Sequence, residues 1–143
     1  HTFQKSLPDG STVVPVILSS DKTMLSTLSG YKSAWSVYLS IGNLSKAKRR
    51  SVKLNGLILI GLLTRCPNGP KTHTIKIAYQ EYMATMLRPL EEGAKSGIKV
   101  LCADGGTRHA YPQIASFLAD YPEQCKITGV KYGWCPRCEI DPD

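Results

Sequence analysis

The sequence predicts a mixed α/β domain in which three β-strands joined by short turns are followed by a long helix, a further strand and a short helix. Three observations carry this. Two apolar runs end at an acid, Asp21 in one case and Asp104 in the other. An alternating stretch around Trp35 and an aliphatic one around Leu59 stand between them. From Ile75 the apolar period changes from two to about 3.6, the change that separates strand from helix. At 143 residues the chain is about one domain long and can bury a real core.

Pro8-Asp9-Gly10 reads as a compact turn. Val13-Val14-Pro15-Val16-Ile17-Leu18 follows as the first strand, with Pro15 pointing to an edge or an irregular start. It stops at Ser19-Ser20-Asp21. Residues 33–41 alternate small and large side chains about Trp35, Val37 and Leu39 and form the second strand, stopped by Gly42-Asn43. Residues 54–63 are the third, and residues 65–71, with Cys66-Pro67-Asn68-Gly69-Pro70, a loop.

Ile75, Ala78, Tyr82, Met86 and Leu90 then recur at helical spacing, and Tyr79, Met83 and Leu87 widen the stripe. This is a core-facing helix, interrupted near Pro89 and ended by Gly93 or Gly97. The Met and Tyr stripe is packing. Ile98-Lys99-Val100-Leu101-Cys102-Ala103 is the fourth strand, halted by Asp104-Gly105-Gly106. Pro112 opens a short helical segment to Leu118, which delivers Asp120-Tyr121-Pro122-Glu123. Trp134-Cys135-Pro136-Arg137-Cys138 closes the series with a CxxC.

Three antiparallel strands, a helix, a parallel strand and a helix describe the start of an RNase H-like mixed sheet, here truncated. In that layout the first and fourth strands lie side by side, so Asp21 and Asp104 converge at their ends. Carboxylates a few ångströms apart repel unless a divalent cation sits between them, and burying them uncompensated has no structural advantage. Mg²⁺ or Mn²⁺ supplies the charge, and two such ions serve phosphodiester chemistry. The bland alternative for each acid is a turn or N-cap aspartate.

Net charge is +7 and the pI about 9.2, which favours a polyanionic partner. The densest basic run holds Lys46, Lys48, Arg49, Arg50 and Lys53. It is either a solvated hairpin loop or a contact with a phosphate backbone. Arg108 and His109 follow the Gly-Gly turn and could face a phosphate near the acids; a half-exposed loop histidine is the alternative for His109. No apolar run approaches the ~20 residues of a membrane helix. The N-terminus lacks a secretory apolar region and an initiator Met, so the chain reads as cut from something longer.

Five cysteines without secretion features point to reduced thiols, some of them on metal. Cys135 and Cys138 present two thiolates to one Zn²⁺, which takes four ligands. Cys125 offers a third, while Cys102 and His109 are distant candidates and Cys66 a loop thiol. A redox CxxC or a chance pair is the alternative.

Val14-Pro15-Val16-Ile17-Leu18-Ser19-Ser20-Asp21-Lys22-Thr23, Trp35-Ser36-Val37-Tyr38-Leu39-Ser40-Ile41-Gly42-Asn43 and Asp120-Tyr121-Pro122-Glu123-Gln124-Cys125 occur in this order, with Cys135-Pro136-Arg137-Cys138 after them. On these blocks, which run from about Leu7 to Cys138, the chain resembles the Plavaka-type transposases of mushroom-forming fungi, themselves similar to the CACTA (En/Spm) DDE transposases. The resemblance implies a nuclear cut-and-paste DNA transposase acting on transposon ends, a possible homo-oligomer with no membrane association. Its acids would hold two Mg²⁺ (or Mn²⁺) ions for strand cleavage and transfer. Asp21 matches the first acid. Fold geometry favours Asp104 as the second, and the family pattern, in which an acidic block precedes CPxC, favours Asp120. The third is expected beyond Cys138, since Glu139, Asp141 and Asp143 lie too near the end. Residues 1–124 would then be a partial catalytic core, inactive alone, and 125–143 the start of a zinc-binding insertion. A non-catalytic zinc-dependent nucleic-acid-binding module and a degenerate transposon remnant are the rival readings.

Overall fold

In a computed structural model, the described residues are 4, 6–26, 32–64 and 72–138. The expected loop at 65–71 with Cys66, and the acids Glu139, Asp141 and Asp143, lie outside them. The elements are β1 (Ser11–Ser26), β2 (Lys32–Ile41), α1 (Lys46–Arg50), a 3₁₀ turn (Val52–Leu54), β3 (Ile58–Thr64), α2 (Thr72–Ser96), β4 (Ile98–Leu101), β5 (Thr107–Leu118) and α3 (Tyr121–Thr128). The strands form one mixed sheet in the order β3-β2-β1-β5-β4. Among the described residues no helix is long and apolar enough to cross a membrane.

The chain divides into two compact units. One comprises His1–Ile17, Leu39–Ile58 and Leu87–Ser116. Within it β4 and β5 form an antiparallel hairpin, with Ile98 opposite Ala110 and Leu101 opposite Thr107. Its α1 is capped by Ser45, whose hydroxyl accepts from Lys48 N. The helix rests on Gly56, which is buried and whose carbonyl accepts the Ser40 hydroxyl at 2.5 Å. Gly97, at φ +73, ends α2, donating to Gly93 O at 2.9 Å. Val14, Val16, Leu39, Ile41, Leu90 and Ile98 line an apolar cavity of about 390 Å³ in this unit.

The other unit comprises Leu18–Tyr38, Leu59–Met86 and Phe117–Asp143. Its core is Leu18 from β1, Ala34, Trp35 and Val37 from β2, Leu63 from β3, Tyr79 and Met83 from α2, and Cys125 from α3. The rings of Trp35 and Tyr79 meet edge to face, 6.0 Å apart at 80°.

β2 matches the sequence reading; several other elements correct it. The segment from Pro112 to Leu118 is not a helix but the second half of β5, where Ala110 and Pro112 are buried at a spacing of two. Seven residues of weak helical preference yield to pairing across the sheet. The strand beside β1 is consequently β5, and the strand at 98–101 lies at the edge. The basic run is not a hairpin loop: Lys46–Arg50 is helical and Lys53 sits in the 3₁₀ turn, so β3 starts at Ile58. β1 continues past Asp21 to Ser26. Helix α2 runs through Pro89. Its buried face is centred on Tyr79 and Met83, and Tyr82 is exposed.

Candidate functional site

Asp21 stands where β1 leaves the interior. The strand alternates buried positions at Val16, Leu18 and Ser20, then is exposed from Asp21 to Leu25. Two hydroxyls fix this point. Tyr79 Oη donates to the buried Ser20 Oγ at 3.3 Å. Ser36 Oγ donates to the Asp21 carbonyl at 3.2 Å, so among the described residues Asp21 is held through its backbone.

Asp120 follows β5 and caps α3, its Oδ1 accepting from Glu123 N at 3.2 Å. With Pro122 in the first turn and Gly129 at φ +74 after the last, the helix has its expected start and stop. Capping engages one carboxylate oxygen and sets the anion at the positive end of the helix dipole. Two neighbours register its charge. Burial raises the Tyr79 phenol above its ordinary pKa, the Ser20 hydrogen bond opposes that, and the negative charge of Asp120 adds to it. Burial lowers the Lys126 ammonium, the positive charge of Lys22 lowers it further, and Asp120 pulls the other way. Asp21 and Asp120 belong to one unit, and the Ser20–Tyr79 contact immediately precedes Asp21 along β1.

Asp104 belongs to the other unit. It sits in the β4–β5 turn, where Cys102 N donates to Gly106 O and Gly105 N to Cys102 O, each at 2.9 Å. Arg108 Nη1 donates to Oδ1 at 3.0 Å and Nη2 to Oδ2 at 2.5 Å, while Gly106 N also donates to Oδ1. This bidentate clamp first, and the Gly106 N–H second, hold the Asp104 carboxyl down at about 2. Because the folded value lies below the ordinary 3.8, the stabilisation is complete above pH 3.8 and is lost as pH falls through about 2. A carboxyl-carbon NMR titration should give that midpoint, and Arg108→Ala should return it towards the ordinary value. A midpoint that Arg108→Ala leaves in place would show the clamp absent in solution.

The remaining candidates fall as follows. Lys46, Lys48, Arg49 and Arg50 cover α1 with no acidic residue in its first turn. Arg108 is engaged with Asp104, and His109 is exposed on β5 opposite Lys99. Cys125 is buried, whereas Cys135 and Cys138 are exposed. Those two thiols are near each other, and their mutual interaction lowers Cys135 and raises Cys138. Among the described residues no three His, Cys, Asp or Glu side chains are grouped to hold a metal.

Two side chains without a role in the sequence reading lie beside Asp120. Glu123 is 1% exposed, and its Oε1 accepts from Trp35 Nε1 at 2.8 Å and pairs with Lys126 Nζ at 3.3 Å. Lys126 Nζ also stands 4.4 Å from the Trp35 ring centroid. Asp120-x-x-Glu123 has the spacing of a capping box with Pro in the first turn; that pattern identifies the start of α3, though not the partner of Glu123.

A family model described as Plavaka transposase matches residues 1–143, the whole chain. The chain belongs to the Plavaka transposase family. No curated protein and no solved structure matches it. The sequence reading left Asp104 and Asp120 as alternatives to accompany Asp21. The strand next to β1 leads to Asp120, and Asp104 has both carboxylate oxygens committed to Arg108.

Proposed function

We propose that this Plavaka chain is the amino-terminal part of a DDE-type catalytic core of RNase H-like layout, which cleaves and joins transposon-end DNA with Asp21 and Asp120 as two of its acids. The observation that carries the reading is that β5, the neighbour of β1, ends at Leu118 and leads directly to Asp120, which lies in the same compact unit as Asp21. Asp120 fits a cation ligand: capping uses Oδ1 and leaves the second oxygen of a negatively charged group. Asp21 fits because among the described residues it is anchored through its backbone. Asp104 fits poorly, since a cation would have to displace a guanidinium from both oxygens. Bound Mg²⁺ or Mn²⁺ would activate the attacking oxygen and stabilise the leaving one. The third acid is assigned downstream of Cys138.

The chain's own residues do the positioning. Tyr79 holds the Ser20 hydroxyl just before Asp21, Ser36 holds the Asp21 carbonyl, and Asp120 is fixed as the N-cap of α3. The basic face of α1 supplies phosphate contacts for DNA, each one releasing counterions. Cys135 and Cys138, already adjacent, are two of four zinc ligands, and residues 125–143 begin that element. Nuclear location and self-association follow from the same reading.

Metal-dependent nicking of transposon-end DNA by the full-length protein tests it. Asp21→Asn and Asp120→Asn should each cost about a thousandfold, the loss of several kcal/mol of charge stabilisation, and Asp104→Asn should leave nicking intact. Loss of nicking in Asp104→Asn with activity retained in Asp120→Asn would reverse the assignment. Unchanged nicking in Asp21→Asn would end the catalytic reading.

A further inference from the structure

Immediately after Asp120 the chain does something a folded domain normally avoids, which is to hold several aromatic rings in water. Tyr132 is 69% exposed, Trp134 41% and Tyr121 36%. They are not loose. Tyr121 Oη donates to Trp134 O at 2.9 Å and accepts from Gly133 N at 2.8 Å, tying the 132–134 turn to the first turn of α3. Trp134 N closes the turn onto Lys131 O at 3.1 Å, with Gly133 at φ +99. The rings of Tyr121 and Tyr132 lie 5.2 Å apart, tilted by 60°. Two hydrogen bonds to backbone thus fix a cluster whose rings stay exposed.

The surroundings select the ligand. Residues 124–138 contain Lys126, Lys131 and Arg137 and no acidic residue. Lys131 and Gly133, which flank Tyr132 in the chain, are exposed, as is Arg137 shortly after Trp134. Aromatic faces set among cations suit stacked bases and their phosphates, because every base has a π-face and every nucleotide a charge.

We propose that Tyr132 and Trp134, held by Tyr121, form a platform on which unpaired bases of the DNA strand stack beside Asp120. The proposal rests on the nucleic-acid reading above and deepens it by naming the substrate form, a single-stranded or unpaired DNA end. Tyr121 directly follows Asp120, so bases neighbouring a phosphodiester at that acid lie within reach of the rings. Removing a base from its duplex stack has a free-energy cost, which a stacking surface offsets.

The test compares a fluorescein-labelled dodecathymidine with a blunt duplex of equal length, both bound to the full-length protein and read by anisotropy. Tyr132→Ala should weaken binding of the single strand about tenfold and leave the blunt duplex within about twofold, and Tyr132→Phe should restore the single-strand affinity. Thermal melts of the variants show whether each remains folded, and the duplex affinity provides a second check. An unchanged single-strand affinity in Tyr132→Ala, or equal losses on both DNAs, overturns the platform. If Asp120→Asn still abolishes nicking in that case, the catalytic reading stands without it. If the unaltered protein binds neither DNA, both fall together.

Discussion

Glu123→Ala should lower the stability of the protein by about 3–5 kcal/mol, the cost of removing one partner from a buried charge pair. Glu123 is among the most deeply enclosed side chains, and three features depend on it. The indole N–H of Trp35 loses its acceptor, and an unpaired buried donor costs about 1–3 kcal/mol. Lys126, whose ammonium is already disfavoured by burial and by Lys22, loses the carboxylate 3.3 Å away. The space left by the side chain adds a packing loss. Glu123→Gln separates these contributions, because its amide oxygen can still accept from Trp35 while the charge is gone. Its amide nitrogen would occupy the place of Oε2, which has no hydrogen-bond partner among the described residues. Urea denaturation should therefore rank the parent first, Glu123→Gln second and Glu123→Ala well below. In amide-resonance NMR the Trp35 indole proton should move markedly in the alanine variant and little in the glutamine one. Equal midpoints for all three proteins would rule out the Glu123–Trp35 bond as a source of stability.

Gly56→Ala is expected to cost about 3 kcal/mol, the upper end of the overpacking range. A Cβ there would stand 2.6 Å from Arg49 Cα and from Lys48 O, and 2.8 Å from Arg49 O. These are backbone atoms of α1, so no side-chain rotation relieves the contact; the helix itself must lift. Gly93→Ala is the matched control. Its Cβ would also approach to 2.6 Å, but against Ile98 Cδ1 and, at 2.8 Å, Cγ1, atoms of a side chain that can rotate away, and alanine favours the helix interior by about 1 kcal/mol. Denaturation midpoints should fall clearly for Gly56→Ala and stay near the parent for Gly93→Ala. Because α1 carries Lys46, Lys48, Arg49 and Arg50, Gly56→Ala should also weaken duplex binding and flatten its salt dependence. A Gly56→Ala protein as stable as the parent would mean that α1 is not seated on Gly56.

What could be read from the sequence was what short-range chemistry fixes. The alternation about Trp35 and Val37 placed β2, and the change of period at Ile75 placed α2. Asp104-Gly105-Gly106 was recognisable as a turn. Its acid is occupied by Arg108, four residues on, in keeping with the bland reading of a turn aspartate. The errors came where distant residues decide. Ser19-Ser20-Asp21 looks like a strand end, yet β1 continues because the Ser20 hydroxyl is satisfied by Tyr79. The stretch after Pro112 looks helical in isolation and is a strand because it continues β5, which lies against β1 in the sheet. Glu123 resembles a first-turn helix residue until Trp35, 88 positions earlier, supplies its partner. Family resemblance pointed to Asp120 and fold logic to Asp104, and it is β5, the strand leading to Asp120, that lies next to β1.

Each compact unit is sewn from three separate stretches, and the boundaries fall inside β1, β2, β3, α2 and β5 rather than in loops. A ribosome therefore cannot release one finished half before making the other. Neither unit has all its strands until β5 has emerged, so the nascent chain stays open to chaperones for most of its synthesis, and no single protease cut yields either unit whole.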